Sequence, residues 1–414
     1  MNALLRRAVT CGIVAGSLIA TAPLAIARPG SRDCFDPAAP ATVSERRLDS
    51  AVAQEILRRS GFDRFGAKFR HALCAVGSRH TAALLVKAEG IALWRAAVDR
   101  VQGRGPAGGD LARADDRPLY WARLELTRSL RQWRPGFPLS GAARTGLIDS
   151  METSSRGQDS VFFPPGLKRV MISGFDPFQL DGDIRRGNPS GANALALDGL
   201  ILKTPSGPAL VRTAMFPVLW GPFEAGMVER AFLPEMPKLD MFTTVSQGRV
   251  GRIDIERYNG RWHTGLDNDN ETRATTIPVP GGIPTVTPQP EFVPTTLPYE
   301  RIVAAPTGRF PVFDNTLVTE IQPGATTPVV SPTGPTPGSI ARAGGGGSYL
   351  SNEIAYRTTL LRDALKLDVP GGHVHTPVLQ FAPGNTTAVT DPVFEQNRAD
   401  IVAQLREIVE TALS

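Results

Sequence analysis

The sequence is sparing in the features that announce cofactor, metal or nucleic-acid chemistry. Only three of its 414 residues are cysteine. No cluster of cysteine, histidine and carboxylate stands at metal-ligand spacing, so no metal is expected and no cofactor is implied. No basic stripe with interleaved aromatics occurs, and a formal charge of +5 is too mild to argue for a nucleic-acid partner. No serine sits in a G-x-S-x-G elbow, which disfavours the common hydrolase arrangement of that type. Disorder is also excluded as the default, because 42% of the residues are hydrophobic and 21% charged. A chain of this length can bury one large core and support a smaller domain.

What is present begins at the N-terminus. Arg6 and Arg7 are followed by an uncharged run of small and apolar residues over 8–22, and Ala25-Ile26-Ala27 fits a small-x-small cleavage site. The run is short for a membrane span. Residues 1–27 are therefore read as an export signal, giving a periplasmic or secreted protein with no membrane attachment after cleavage. An uncleaved anchor is the alternative, and the paired arginines also allow a twin-arginine route. Removing two positive charges leaves a mature chain of about +3. Cys11 lies in the signal. Cys34 and Cys74 remain, and an even pair in an exported chain suggests a disulfide, with two unpaired thiols as the alternative. Such a bond would stabilise by roughly 3–4 kcal/mol in the chain-entropy picture.

Residues 28–150 read as a small helical domain. Thr42 and Glu45 have capping-box spacing, and Leu48, Val52 and Ile56 share one helical face before Gly61. Further helical stretches cover 67–76 and 81–101, and Pro118 can open a fourth. From 168 to 414 the pattern changes to short apolar strands alternating with helices. That alternation predicts an α/β domain, a three-layer α/β/α arrangement around a mixed, mainly parallel sheet. Residues 272–338 interrupt it with 14 of the 36 prolines, and are expected to be extended insertions, apart from the segment TTLPYERI.

Three separated pieces carry the functional signal: VMISGFDPF (170–178), GRIDIERYN (251–259), and GSYLSNEIAY (347–356) followed by HVHTP (373–377). In order and spacing they resemble pyroglutamyl peptidase I, also called pyrrolidone-carboxylate peptidase. FPVLWGPFEAG adds matching sequence between them. The resemblance covers about three fifths of the chain, from 168 to its end. It leaves out the helical block and the proline-rich insertions. It implies an omega-peptidase that removes an N-terminal pyroglutamate with a Cys-His-Glu arrangement, acting on a peptide with a blocked N-terminus. Here the nucleophile position reads Ser351. Neither Cys34 nor Cys74 lies in these motifs, which excludes a cysteine nucleophile.

The resemblance assigns Ser351 as nucleophile at the start of a helix, His375 as general base and acid, and Glu256 as the group that orients the imidazole. A helix N-terminus and a histidine can hold a thiol as thiolate, whereas a serine hydroxyl must lose its proton as it attacks. Serine is also a preferred helix cap, so Ser351 could simply serve a backbone N–H. Glu256 could be a surface residue paired with Arg257 or Arg261. His373 is expected on the face of its strand opposite His375, structural or solvent-facing. Phe175, Phe178, Asn188, Tyr349 and Leu350 are assigned to substrate binding. Flat phenyl faces suit a neutral five-membered lactam, and the alternative for each ring is core packing. Arg249 and Arg252 are candidates for the family's Gly-Gly-Arg element. The family arginine expected near 265–270 has no counterpart in Gly265-Leu266-Asp267-Asn268-Asp269-Asn270. Two functions stand side by side: a Ser-His-Glu hydrolase, or a relative that keeps the fold to bind peptide ends without cleaving them. The sequence leaves the oligomeric state open.

Overall fold

The computed structural model describes residues 34–414. The export reading of 1–27 and Cys11 lie outside the described residues. Cys34 and Cys74 are disulfide-bonded. Among the described residues no helix is long and apolar enough to cross a membrane.

Helices occupy the first part: α1 (Val43–Arg46), α2 (Ala51–Ser60), α3 (Asp63–Ala75), α4 (Arg79–Val101), α5 (Arg117–Gln132) and α6 (Gly141–Ser154). The Thr42/Glu45 capping box forms in full. The single helix expected to follow it does not. A 3-10 turn over Arg47–Asp49 intervenes, and α2 restarts behind Ser50, whose hydroxyl accepts from the Ala53 N–H. A second serine cap competing inside the apolar stripe is what divides the run. Ser140 caps α6 in the same way, on a helix that the sequence pattern did not single out. Residues 35–414, helices included, form one compact unit.

The remainder runs β1 (Lys168–Phe175), α7 (Pro189–Leu197), β2 (Ile201–Thr204), β3 (Gly207–Phe216), α8 (Trp220–Glu224), α9 (Met227–Phe232), β4 (Met241–Gln247), β5 (Ile253–Glu256), β6 (Tyr258–Gly260), β7 (Trp262–Leu266), β8 (Thr272–Thr276), β9 (Phe292–Pro294), α10 (Tyr299–Ala304), β10 (Val312–Asn315), β11 (Val318–Ile321), β12 (Val329–Ser331), β13 (Ile340–Ala343), α11 (Leu350–Ala364), β14 (Gly371–Thr376) and α12 (Pro392–Ala412). Seven strands make the main sheet in the order β10-β5-β14-β4-β1-β3-β2. The β14/β5 and β3/β2 pairs are antiparallel and the other four parallel, so the sheet is mixed and mainly parallel, as expected.

Strand periodicity builds the two faces. Along β1, Val170 and Ile172 join α7 and α12 in one apolar cluster. Met171 and Phe175 join α8, α9 and α11 in the other. The result is an α/β/α sandwich. The proline-rich stretch is more ordered than its composition suggested. It supplies β10, which pairs in parallel with β5 at the sheet edge, and it contributes β11 and β12 to a three-stranded sheet completed by β13. The prolines of this stretch all lie outside β10, β11 and β12.

Candidate active site

The site lies where the C-terminal ends of parallel strands β1, β4 and β14 meet the start of α11, the usual place for a ligand in an open α/β sheet. A small open cleft lies there, lined by Phe175, Phe178, Asn188, Val218, Ser246, Gln247, Tyr349, Leu350 and Ser351. All five residues assigned to substrate binding are in its wall, together with Ser351.

The aromatic walls are held by other rings. Phe175 stacks on Phe223 at 6.0 Å and Phe178 on Tyr349 at 6.1 Å. Phe175 is thus both core and cavity wall. Asn188 caps α7: its Oδ1 accepts from the Ser190 N–H and hydroxyl, and its Nδ2 donates to the Asp176 carbonyl. Its Oδ1 and one of its two Nδ2 donors are thus engaged within the chain, which fixes Asn188 in the wall. Tyr349 is the N-cap residue of α11 by backbone position, and its hydroxyl donates to the Leu266 carbonyl. Burial pushes its phenol above the ordinary range.

Ser351 is the second residue of α11, not its cap. Its hydroxyl donates to the Gly346 carbonyl at 3.2 Å, and among the described residues it has no hydrogen bond to His375. The nearest acceptor for a side chain in the first helical turn is the glycine loop that leads into it. His375, on β14, donates from Nδ1 to Glu256 Oε1 at 2.7 Å. A carboxylate can only accept, so this bond puts the proton on Nδ1 and leaves the Nε2 lone pair exposed. Glu256 is buried with His375 and does not pair with the neighbouring arginines. Arg257 binds Asp314 and Arg261 binds Glu291. Both Arg252 and Arg249 instead face Asp254, and Arg252 stacks on Phe313.

The run Gly344–Gly347 joins the two halves of the site. A Cβ on Gly345 would strike Glu256 Oε2, and one on Gly346 would lie 2.7 Å from His375 Cε1. The backbone must pass this close for the loop to touch both the Ser351 hydroxyl and the imidazole. Asn315 completes the shell. Its Nδ2 donates to Glu256 Oε2 at 2.7 Å and to the Gly345 carbonyl at 2.9 Å. The four-glycine run directly before the Ser351 motif was a visible signal for the loop. Asn315 had none, lying in the proline-rich stretch.

His373 corrects one expectation. It lies on the same face of β14 as His375, with ring centroids 4.6 Å apart, because residues two apart on a strand share a face. It is fully buried, with Thr244 Oγ1 at 2.7 Å and Ser246 Oγ at 2.6 Å from its two ring nitrogens. Burial, then the neighbouring His375, hold it well below the ordinary imidazole range, so it stays neutral.

A mixed α/β/α sheet with a histidine–carboxylate pair at its C-terminal edge defines the class. Sequence profiles of two domains match the chain, the PA0049 N-terminal domain over residues 25–152 and the PA0049 C-terminal domain over 169–300 and 308–380. The uncharacterized protein PA0049 of Pseudomonas aeruginosa is 35% identical over 485 aligned positions, covering 88% of each chain. The chain belongs to the PA0049 family. Among solved structures it is similar to a mutant pyrrolidone carboxyl peptidase of Pyrococcus furiosus, with a TM-score of 0.40 and 21% identity over 59% of this chain and 98% of that one. It is also similar to pyroglutamyl peptidase I of Bacillus amyloliquefaciens, with a TM-score of 0.39 and 20% identity over 59% and 97%.

Proposed function

We propose that this chain is an exported hydrolase that cleaves the amide after an N-terminal pyroglutamyl or related small cyclic residue, with Ser351 as nucleophile, His375 as base and Glu256 as its orienting carboxylate. The observation that carries this reading is the 2.7 Å Glu256–His375 bond beside the glycine loop that Ser351 also touches. The motif resemblance and the cleft walled by Phe175 and Phe178 support it. Export is supported by the sequence of residues 1–27 and by the disulfide.

In this reading the lactam ring enters between Phe175 and Phe178. Ser351 leaves the Gly346 carbonyl and turns to His375 Nε2, which takes its proton as Oγ attacks the scissile carbonyl. The Glu256 carboxylate stabilises the imidazolium. Backbone N–H groups in the first turn of α11 have no intrahelical acceptor and face the developing oxyanion. His375 then protonates the leaving amine, and water attacks the acyl-enzyme by the reverse route. The test is hydrolysis of L-pyroglutamyl p-nitroanilide by the purified mature chain, with Ser351→Ala beside it. Release of nitroaniline by the parent and not by the variant is expected, and equal rates would refute the serine.

A second reading has its own observation. The Ser351 hydroxyl is engaged by the Gly346 carbonyl, not by His375. A protein that binds blocked peptide ends without cleaving them fits that arrangement. Saturable binding of a pyroglutamyl peptide with no turnover would favour it.

A further inference from the structure

We propose that the helical layer sets the substrate-ring subsite, with Arg123 and Arg156 acting as positioning residues that clamp Asp176 and so fix the turn bearing Phe175 and Phe178. This rests on the reading of the cavity as the ring site. Asp176 stands between those two cavity-wall aromatics in the sequence and is buried. Its carboxylate is gripped from both sides: Arg123 of α5 binds Oδ1, and Arg156, just past α6, binds Oδ2 at 2.5 Å. Arg156 also holds Glu152 of α6 through Nε and Nη2, at 3.0 and 2.7 Å. Arg123 Nε lies 3.7 Å from the same Glu152 oxygen. Two guanidinium groups and two carboxylates thus form a charge-balanced quartet, three of whose members come from the helical layer.

The quartet is tied to the site by main chain as well. The Asp176 N–H donates to the Phe216 carbonyl and its own carbonyl accepts from Asn188. The Arg156 carbonyl accepts from the Met215 N–H. Stability is a poor reason for such an arrangement, because well-packed apolar residues in place of a buried ion cluster are often as stable. Two of the Arg123 donors, Nε and Nη1, are buried without a hydrogen-bond partner, a cost with no return in stability. Orientation is the return. Two forks fix both oxygens of one carboxylate, and with them the turn whose rings the substrate must fit. Ser351, His375 and Glu256 stand on other elements, α11, β14 and β5, so loosening this turn separates binding from chemistry.

The experiment compares Asp176→Asn, Arg123→Met, Arg123→Lys and the double variant Arg123→Met/Asp176→Asn. Each single neutral change leaves an unbalanced buried charge, and the double variant restores the balance. On L-pyroglutamyl p-nitroanilide the neutral variants should raise KM at least tenfold with kcat within threefold, and Arg123→Lys should fall between them and the parent. In the double variant the melting temperature should return to within a few degrees of the parent while KM stays high. A KM that recovers along with melting temperature would mean a structural role only and overturn the proposal. A second measurement needs no turnover. In the Ser351→Cys background, the double variant should raise the ratio of N-ethylmaleimide to iodoacetamide labelling rates at position 351 at least fivefold, because loosened walls admit the bulkier reagent. An unchanged ratio overturns the proposal. If no parent turnover is found but the ratio rises, the hydrolase reading fails and the positioning stands.

Discussion

Two buried histidine–glutamate pairs in this molecule have almost the same bond and opposite surroundings. Glu256 and His375 meet at 2.7 Å, and Glu353 and His263 at 2.6 Å. His263 lies on β7, Glu353 on α11 two residues beyond Ser351. In the first pair the imidazole lies against the glycine loop that the Ser351 hydroxyl also touches. In the second, His263 Nε2 is sealed without a partner, with Trp220 packed edge-on at 4.9 Å. Glu353 continues into Arg357 and from there to Glu229, all buried. The bond between imidazole and carboxylate therefore says little about function. What the far nitrogen can reach decides it. On the proposed reading Glu256–His375 exchanges a proton, whereas Glu353–His263 ties β7 to the first turns of α11.

The largest effect follows directly. His375→Ala should lower kcat on a pyroglutamyl amide by about a thousandfold or more per folded molecule. Ser351→Ala should do the same, and the two losses should not add. His263→Ala should give the reverse: activity per folded molecule kept, and stability reduced by about 2–4 kcal/mol, since it breaks a buried charged network. Urea unfolding and steady-state kinetics on the same preparations check both halves. If His263→Ala removed activity without loss of stability, the distinction between the pairs would collapse.

Gly345 sharpens the comparison next. A methyl group there meets Glu256 Oε2. Gly345→Ala should displace the carboxylate from His375 and lower kcat about a hundredfold, with a stability cost of about 1–3 kcal/mol. Nothing comparable presses on Glu353. A smaller effect, of opposite sign, is expected at the nucleophile. Ser351→Cys should equal or exceed the parent on the same amide and become sensitive to iodoacetamide, because the start of α11 and His375 favour thiolate. Retained folding with neither labelling nor turnover would move the weight to the binding reading.

The contrast also explains what the sequence could disclose. Short apolar runs alternating with helical segments from 168 onward identify a covered, mainly parallel sheet, because each strand must bury both faces and the pattern is local. The choice of Ser351, His375 and Glu256 as candidates rests on motif order alone. Nothing local about IERYN distinguishes Glu256 from a surface glutamate, and Glu353 lies in an ordinary helical segment. Neither Asn315 nor His263 was visible, because their roles arise from contacts across 59 and 90 residues of chain. His373 was misplaced by a rule of strand geometry that the sequence itself contains. The helical layer's grip on Asp176 could not be read at all, since arginine and aspartate are common and only folding brings Arg123 and Arg156 to one carboxylate.

The third buried histidine tests the comparison at its smallest scale, because it is held by hydroxyls and no carboxylate. His373 is kept neutral in the folded chain, first by burial and then by His375. An unfolded histidine takes up a proton near pH 6.5. Below that pH the unfolded state binds a proton that the folded state refuses, so His373 removes stability as the pH falls and contributes no slope above about 7. The slope approaches about 1.4 kcal/mol per pH unit for one proton. Asp116 acts in the opposite direction. Burial, then Asp115, push its carboxyl up to about 6, so between pH 6 and the unfolded carboxylate value near 3.8 the folded state gains the proton first and stability rises on acidification. The two contributions offset each other from about pH 6 to 4, and removing either one reveals the other. Urea midpoints at pH 7.5, 6 and 5 should fall more steeply with acid in Asp116→Asn than in the parent, and less steeply in His373→Asn. Identical slopes in all three would mean that neither His373 nor Asp116 binds its proton differently in the folded and unfolded chain.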